Sequence, residues 1–124
     1  IPVYGDGQQI RDWLFVEDHC DALMCVLESG IPGGSYNIGG NCEKTNLDLI
    51  ASIYDELQRM HPGLLNRPMG DYISFVEDRL GHDRRYAIDA SKMHRELGWE
   101  PAHDFAHGMS KTISWYHEDL ALAG

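Results

Sequence analysis

Apolar side chains recur at helical spacing most regularly between residues 45 and 61, where Leu47, Ile50, Ile53, Tyr54 and Leu57 share one face. Thr45 and Asp48 form a T-x-x-D capping box ahead of that stripe, and Pro62-Gly63 behind it is a stop signal. A second helix is predicted from Asp18, acting as its cap, to about Ser29, with Ala22, Leu23, Val26 and Leu27 on one face and Gly30 ending it. Asp89 caps a short helix that stops at Leu97 before Gly98. Asp104 caps a last one, striped by Phe105, Met109, Ile113, Tyr116 and Leu120.

Between these segments the pattern shortens. Ile10 to Val16, Ser35 to Ile38 (closed by Gly39-Gly40), Tyr72 to Val76 and Tyr86 to Ile88 read as strands. Ile1 to Gly7 reads as an extended loop with a turn at Gly5-Asp6-Gly7, and 63–71 and 78–85 read as loops. Strands this short do not build a large sheet by themselves. The pattern therefore predicts an α+β appendage of four helices whose strands pair with something outside the chain.

A length of 124 residues with 43% apolar content fits one domain with a modest core. The formal net charge of -10, from 20 acidic and 10 basic residues, argues against nucleic acid and membrane partners. A small anion remains compatible if the few arginines are focused in one place. No apolar run approaches the roughly 20 residues of a membrane span, and no basic segment leads into an apolar one as a secretory signal would. Cys20, Cys25 and Cys42, an odd number without CxxC spacing, read as free thiols in a reducing cytoplasm.

Catalytic templates do not match. Gly5-x-Gly7 runs into Gln8-Gln9 and a strand, whereas a dinucleotide loop needs a strand before it and a helix after it. There is no Gly-x-Ser-x-Gly elbow and no P-loop. His103 and His107 stand at i,i+4 without a third ligand nearby, so solvated helix-start histidines are expected rather than a metal site.

Two segments suggest ligand chemistry. One is Ile10-Arg11-Asp12-Trp13; the other runs from Asp78 to Tyr86 and holds three of the ten basic residues, Arg79, Arg84 and Arg85, beside Gly81 and His82. A guanidinium fork fits phosphate where a lysine point charge does not. The competing reading pairs Arg11 with Asp12 or Glu17, and Arg79, Arg84 and Arg85 with Asp78 and Asp83; residue chemistry leaves both readings open. Asn46, first after the Thr45 cap, sits where free N–H groups and the helix dipole favour an anion, and equally reads as an ordinary helix-start residue.

At these same positions the chain resembles a known family. Pro2-Val3-Tyr4-Gly5-Asp6-Gly7-Gln8-Gln9-Ile10-Arg11-Asp12-Trp13-Leu14-Phe15-Val16-Glu17-Asp18-His19, the turn Asn37-Ile38-Gly39-Gly40, and Asp78 to Tyr86 running into Ala87-Ile88-Asp89-Ala90-Ser91-Lys92 are similar to the nucleotide-sugar branch of the extended short-chain dehydrogenase/reductases. Within that branch they resemble the dTDP-glucose 4,6-dehydratase family, over nearly the whole chain.

The resemblance implies that Pro2, Val3 and Tyr4 pass the nucleotide base and sugar, that Arg11 and Arg79 hold the diphosphate, and that Asn46 lies at the nucleotide site. It implies that Asp78, Arg79, Leu80, Gly81 and His82 are the family's DRPGH loop. Leu80 stands where the family usually has Pro, so a looser loop is expected. The implied fold is the small carboxyl-terminal substrate-binding domain, residues 1–124, incomplete at its amino-terminal end because the chain enters in mid-loop at Ile1. The Rossmann domain holding NAD, and with it every catalytic residue, is expected to lie outside this chain.

The implied reaction of the intact enzyme, a homodimeric lyase, is an internal redox cycle on a dTDP-sugar. NAD takes hydride from C4, water leaves across C5 and C6, and hydride returns to C6. The alternatives are a UDP-sugar epimerase or decarboxylase, or a nucleotide-sugar-binding module without catalysis.

Overall fold

A computed structural model describes residues 1–122, with side chains described through Asp119. Its elements are β1 (Pro2–Tyr4), β2 (Ile10–Asp12), α1 (Val16–Ser29), β3 (Glu43–Thr45), α2 (Asn46–Met60), a 3₁₀ turn (Met69–Tyr72), β4 (Ser74–Val76), α3 (Ser91–Leu97) and α4 (Phe105–Leu122). The four predicted helices are all present.

The strands pair with one another, against the expectation that they would need outside partners. β1 runs parallel to β4, with Val3 opposite Phe75, and β2 runs antiparallel to β3, with Arg11 opposite Lys44. Two two-stranded sheets satisfy these backbones locally. The opening segment is thus a strand where a loop was expected, and β3 was not anticipated. Its sequence, Glu-Lys-Thr, has no apolar alternation, and only pairing to β2 extends it. Conversely, residues 35–38 and Tyr86–Ile88 form no strand; ahead of the latter, Arg85 makes an isolated bridge to Ile10. Ile10 N donates to Arg84 O at 2.8 Å and Tyr86 N to Ile10 O at 3.0 Å, which seats this segment along β2. The run from Ile10 ends as a strand at Asp12, since Val16 already opens α1, and Tyr72 belongs to the 3₁₀ turn.

Helix ends follow local chemistry closely in α2 and less so elsewhere. The Thr45–Asp48 capping box forms reciprocally. Asp104 Oδ1 accepts from His107 N at 2.8 Å, the predicted cap of α4, and Gly98 ends α3 at a φ of 68°. For α3 the cap position falls on Ala90, with Asp89 Oδ1 accepting from Ser91 N at 2.9 Å.

Asp18 does not cap α1. The helix starts two residues earlier, and Asp18 turns inward, 1% exposed, to meet the segment before α4. Its Oδ2 accepts from His103 N at 3.1 Å and its Oδ1 pairs with His103 Nδ1 at 2.8 Å. A buried carboxylate needs such partners more than a helix start needs a cap. His103, expected to be solvated, is thereby part of the fold.

The fully buried apolar set is small: Val3, Ala22, Ala90, Met93 and Ile113. Ala22 and Met93 lie where α1 packs on α3, and α2 packs on α4, where His61 stacks on His117 with ring centroids 3.9 Å apart. Leu23 and Leu27, expected on the buried face of α1, are exposed together with Met24, as is Tyr116 on α4. Leu120 of the predicted α4 stripe lies outside the described side chains. No helix among the described residues is long and apolar enough to cross a membrane.

Burial alone would raise the Asp18 carboxyl pKa, but the hydrogen bonds from His103 outweigh it and hold it below the usual aspartate value. On acidification the unfolded chain takes up this proton first. The stabilisation is therefore present at neutral pH and is lost as pH falls through the lowered folded value. Asp18→Ala is expected to lower unfolding free energy by about 1–3 kcal/mol, since it strands buried donors of His103; urea denaturation with an unchanged midpoint would contradict this.

Candidate functional site

The turn at Gly5–Gly7, β2 and the loop 78–86 meet on one side of the molecule. Gly5 has a φ of 59°, and a side chain there would come within 2.7 Å of Asp78 Oδ2. The turn and the loop therefore approach more closely than any residue with a Cβ permits. Gln9, 2% exposed, donates from Nε2 to that same oxygen at 2.8 Å.

Asp78 organises the loop. Its Oδ1 accepts from Arg79 N at 2.8 Å and lies 2.6 Å from His82 Nδ1. The His82 hydrogen bond is the main influence holding the Asp78 carboxyl below its usual pKa. His82, its side chain only 7% exposed, presents its other ring nitrogen, Nε2, to Arg11 Nη2 at 2.9 Å. Arg11 also donates to Asp83 O at 3.1 Å and to Ile10 O at 2.6 Å, and its guanidinium lies 4.5 Å from the centroid of the Tyr86 ring. Neither Asp12 nor Glu17 pairs with it. Asp12 is occupied instead by the N–H groups of Gly40 (2.9 Å) and Cys42 (2.7 Å), anchoring the crossing into β3.

The arginines of the loop divide into two kinds. Arg84 pairs with Asp6 at 2.8 Å and Arg85 with Glu43 at 2.6 Å, exposed ion pairs of small energetic consequence. Arg79 has no carboxylate partner among the described residues and lies over the Tyr4 ring, 5.2 Å from its centroid. The Tyr86 hydroxyl donates to Asp83, and that bond raises its pKa; the charges of both Arg11 and Arg79 reach it and oppose the rise. Each of the two guanidinium groups thus lies over a tyrosine ring, Arg11 over Tyr86 and Arg79 over Tyr4.

Other predicted residues are placed as follows. Pro2, Val3 and Tyr4 form β1, with Val3 buried and Tyr4 partly exposed beneath Arg79. Asn46 opens α2, but the expected free N–H groups are taken: Asn46 N donates to Gln9 O and Leu47 N to Gly7 O, both at 3.1 Å, and Asp48 N donates to Thr45 Oγ1 at 3.0 Å. The helix start therefore offers no open anion cradle, and only the Asn46 side chain remains to meet a ligand. Gln9 and Tyr86 lie inside segments that carry the family likeness, but neither carries a signal of its own there, because what they do depends on distant partners: Asp78, 69 positions away, for Gln9 and the Arg11 guanidinium for Tyr86.

Leu80 and Gly81 form the tip of the loop. His82 N donates to Arg79 O at 3.1 Å and Gly81 has a φ of 71°, the signature of a type II turn with Leu80 at its second position. The loop closes without the family's Pro, and Leu80 is wholly exposed.

The architecture aligns with solved structures of extended short-chain dehydrogenase/reductases that act on nucleotide sugars, and this is the class to which fold and site point. A dTDP-glucose 4,6-dehydratase from Bacillus anthracis str. Ames in complex with NAD superposes with a TM-score of 0.80 at 45% identity, over 94% of this chain and 34% of that one. A dTDP-glucose 4,6-dehydratase from Streptomyces venezuelae with NAD and TYD bound superposes with a TM-score of 0.85 at 38% identity, over 98% and 35%. The chain belongs to the GDP-mannose 4,6 dehydratase family, whose model matches residues 1–112. It is 52% identical over 116 residues to the dTDP-glucose 4,6-dehydratase of Xanthomonas campestris pv. campestris, covering 94% of this chain and 33% of that protein. The chain spans about a third of the length of the curated relatives it matches.

A type II turn favours Pro at its second position, and no protein hydrogen bond uses the Leu80 N–H among the described residues. Leu80→Pro is therefore expected to raise stability by about 0.4–1 kcal/mol through the unfolded chain, visible as a higher melting temperature; a lower one would refute the turn assignment.

Proposed function

We propose that residues 1–124 form a substrate-binding domain that grips the diphosphate of a nucleotide sugar, within an NAD-dependent dTDP-glucose 4,6-dehydratase. The observation that carries this reading is that Arg11 and Arg79 each lie over a tyrosine ring, Tyr86 and Tyr4, with no carboxylate paired to either guanidinium among the described residues. In a chain of net charge -10, two guanidinium groups left without counter-charges call for an anionic ligand. The site in this reading comprises Pro2, Val3, Tyr4, Arg11, Asn46, Asp78, Arg79, Leu80, Gly81 and His82, of which Val3 is buried and Asp78 and His82 hold their neighbours in place. The dTDP-glucose named for the relatives supplies a diphosphate of the right chemistry.

The role of the domain is positional. Fixing the diphosphate fixes the attached hexose, and binding energy from this remote group is converted into orientation at the reacting carbons. The Gly5–Gly7 turn leads into β2 and not into a helix, so no helix N-terminus follows it to cradle a pyrophosphate, which supports placing the dinucleotide elsewhere. NAD is accordingly assigned to the part of the enzyme that matches the remainder of the longer relatives. The exposed Leu23, Met24 and Leu27 of α1 and Phe75 of β4 support packing against that Rossmann domain in a homodimeric enzyme. The free thiols of Cys20, Cys25 and Cys42 support a reducing, cytoplasmic setting.

In the full-length enzyme, Arg11→Ala is expected to weaken dTDP binding by about 1.5–3 kcal/mol, the worth of hydrogen bonds to a charged group. Calorimetry showing unchanged dTDP affinity would sink the assignment. Residues 1–124 alone, given dTDP-glucose and NAD, are expected to form no keto-sugar above a buffer blank.

A further inference from the structure

We propose that His82 is a positioning residue for Arg11: a neutral imidazole, locked in one tautomer, whose Nε2 lone pair aims the guanidinium at the diphosphate. The inference rests on the diphosphate reading above and assigns His82 a role that no contact with the ligand is needed to explain.

The donor inventory decides the tautomer. Arg11 Nη2, 2.9 Å from His82 Nε2, can only donate, so Nε2 must accept. The carboxylate of Asp78, 2.6 Å from Nδ1, accepts, so Nδ1 carries the proton. A ring protonated on both nitrogens would set an N–H against an N–H of Arg11, and the opposite tautomer would leave two acceptors facing each other across Nδ1. With both nitrogens engaged and the side chain only 7% exposed, the ring has no polar atom left for a ligand.

Asp78 is itself held in place. Gln9 Nε2 fixes its other oxygen at 2.8 Å, Arg79 N fixes the first at 2.8 Å, and the turn at Gly5 closes against it. Gln9 is 2% exposed, and its Oε1 has no hydrogen-bond partner among the described residues. An orphaned amide oxygen is costly in a folded protein. It is tolerated here while the Nε2 end of the same amide anchors Asp78. The chain Gln9–Asp78–His82–Arg11 thus runs from a buried amide to a partly exposed guanidinium, each link setting the rotation of the next.

Arg11 gains orientation from this arrangement. Two Nη2 protons go to His82 and Asp83 O and one Nη1 proton to Ile10 O, leaving Nε–H and the second Nη1–H for an anion. Tyr86 bears on the guanidinium, its ring centroid 4.5 Å away, and the bond to His82 limits its rotation.

The test compares dTDP (by calorimetry) with thymidine (by NMR titration) on the full-length enzyme. His82→Asn can still donate near the Nδ1 position but offers nothing at Nε2, and should weaken dTDP about tenfold while leaving thymidine unchanged. His82→Gln carries an amide oxygen to the Nε2 position and should recover most of the loss. Partial unfolding would scale both ligands together, so the dTDP-to-thymidine ratio isolates the positioning effect. Equal weakening of both ligands, or both variants binding dTDP as the parent does, overturns the proposal. Arg11→Ala serves as the control on the underlying reading: if it leaves dTDP affinity intact, the diphosphate assignment fails, whereas loss there with no effect at His82 defeats only the positioning role.

Discussion

The carboxylate of Asp78 is the contact on which the site depends. It sits where the Gly5–Gly7 turn, the buried amide of Gln9 and the 78–82 loop converge, and it accepts from Gln9 Nε2, Arg79 N and His82 Nδ1. A carboxylate can only accept, so every group around it must be a donor, and that requirement sets the rotamer of Gln9 and the tautomer of His82 together. Arg11, one step further out, inherits its orientation. Charge-assisted bonds of this kind are short and directional, which suits them to holding a cationic fork in place.

A similar logic holds the rest of a thin structure. Among the described residues few apolar side chains are fully buried, and no strand exceeds three residues. Side-chain carboxylates span the gaps that a larger core or sheet would otherwise close. Asp12 gathers the N–H groups of Gly40 and Cys42 at the crossing into β3, and Asp18 ties α1 to the entry of α4 through His103. Both acids belong to segments whose likeness to the family was read as nucleotide-site signature, yet their work here is to bind backbone. Beside them Arg11 and Arg79 are left without carboxylate partners, and the division of labour between neighbours in one motif becomes visible.

The relatives are about three times as long as this chain, and its exposed apolar positions fit that proportion. Leu23, Met24 and Leu27 follow helical spacing as faithfully as the positions that are buried. Periodicity reports that a face is apolar; it does not say which partner covers it.

Local signals carried the helices. The capping box at Thr45–Asp48, the Asp104 cap, the Gly98 stop and the stripe over α2 depend on neighbours within one turn, so the order of residues is enough to specify them. The family likeness of the Arg11 and Asp78–His82 segments was equally readable, because it is a matter of residue order. What residue order could not decide was pairing at long range. β3 extends because β2 lies beside it, and Asp18 abandons a cap for a histidine 85 positions away. Arg11 chooses His82 over its neighbour Asp12, and Asn46 loses its open N–H to the Gln9 carbonyl. The two arginines entered as candidates with two readings open. Only the fold, by spending the nearby acids on other partners, left neither of the pair with a carboxylate partner among the described residues.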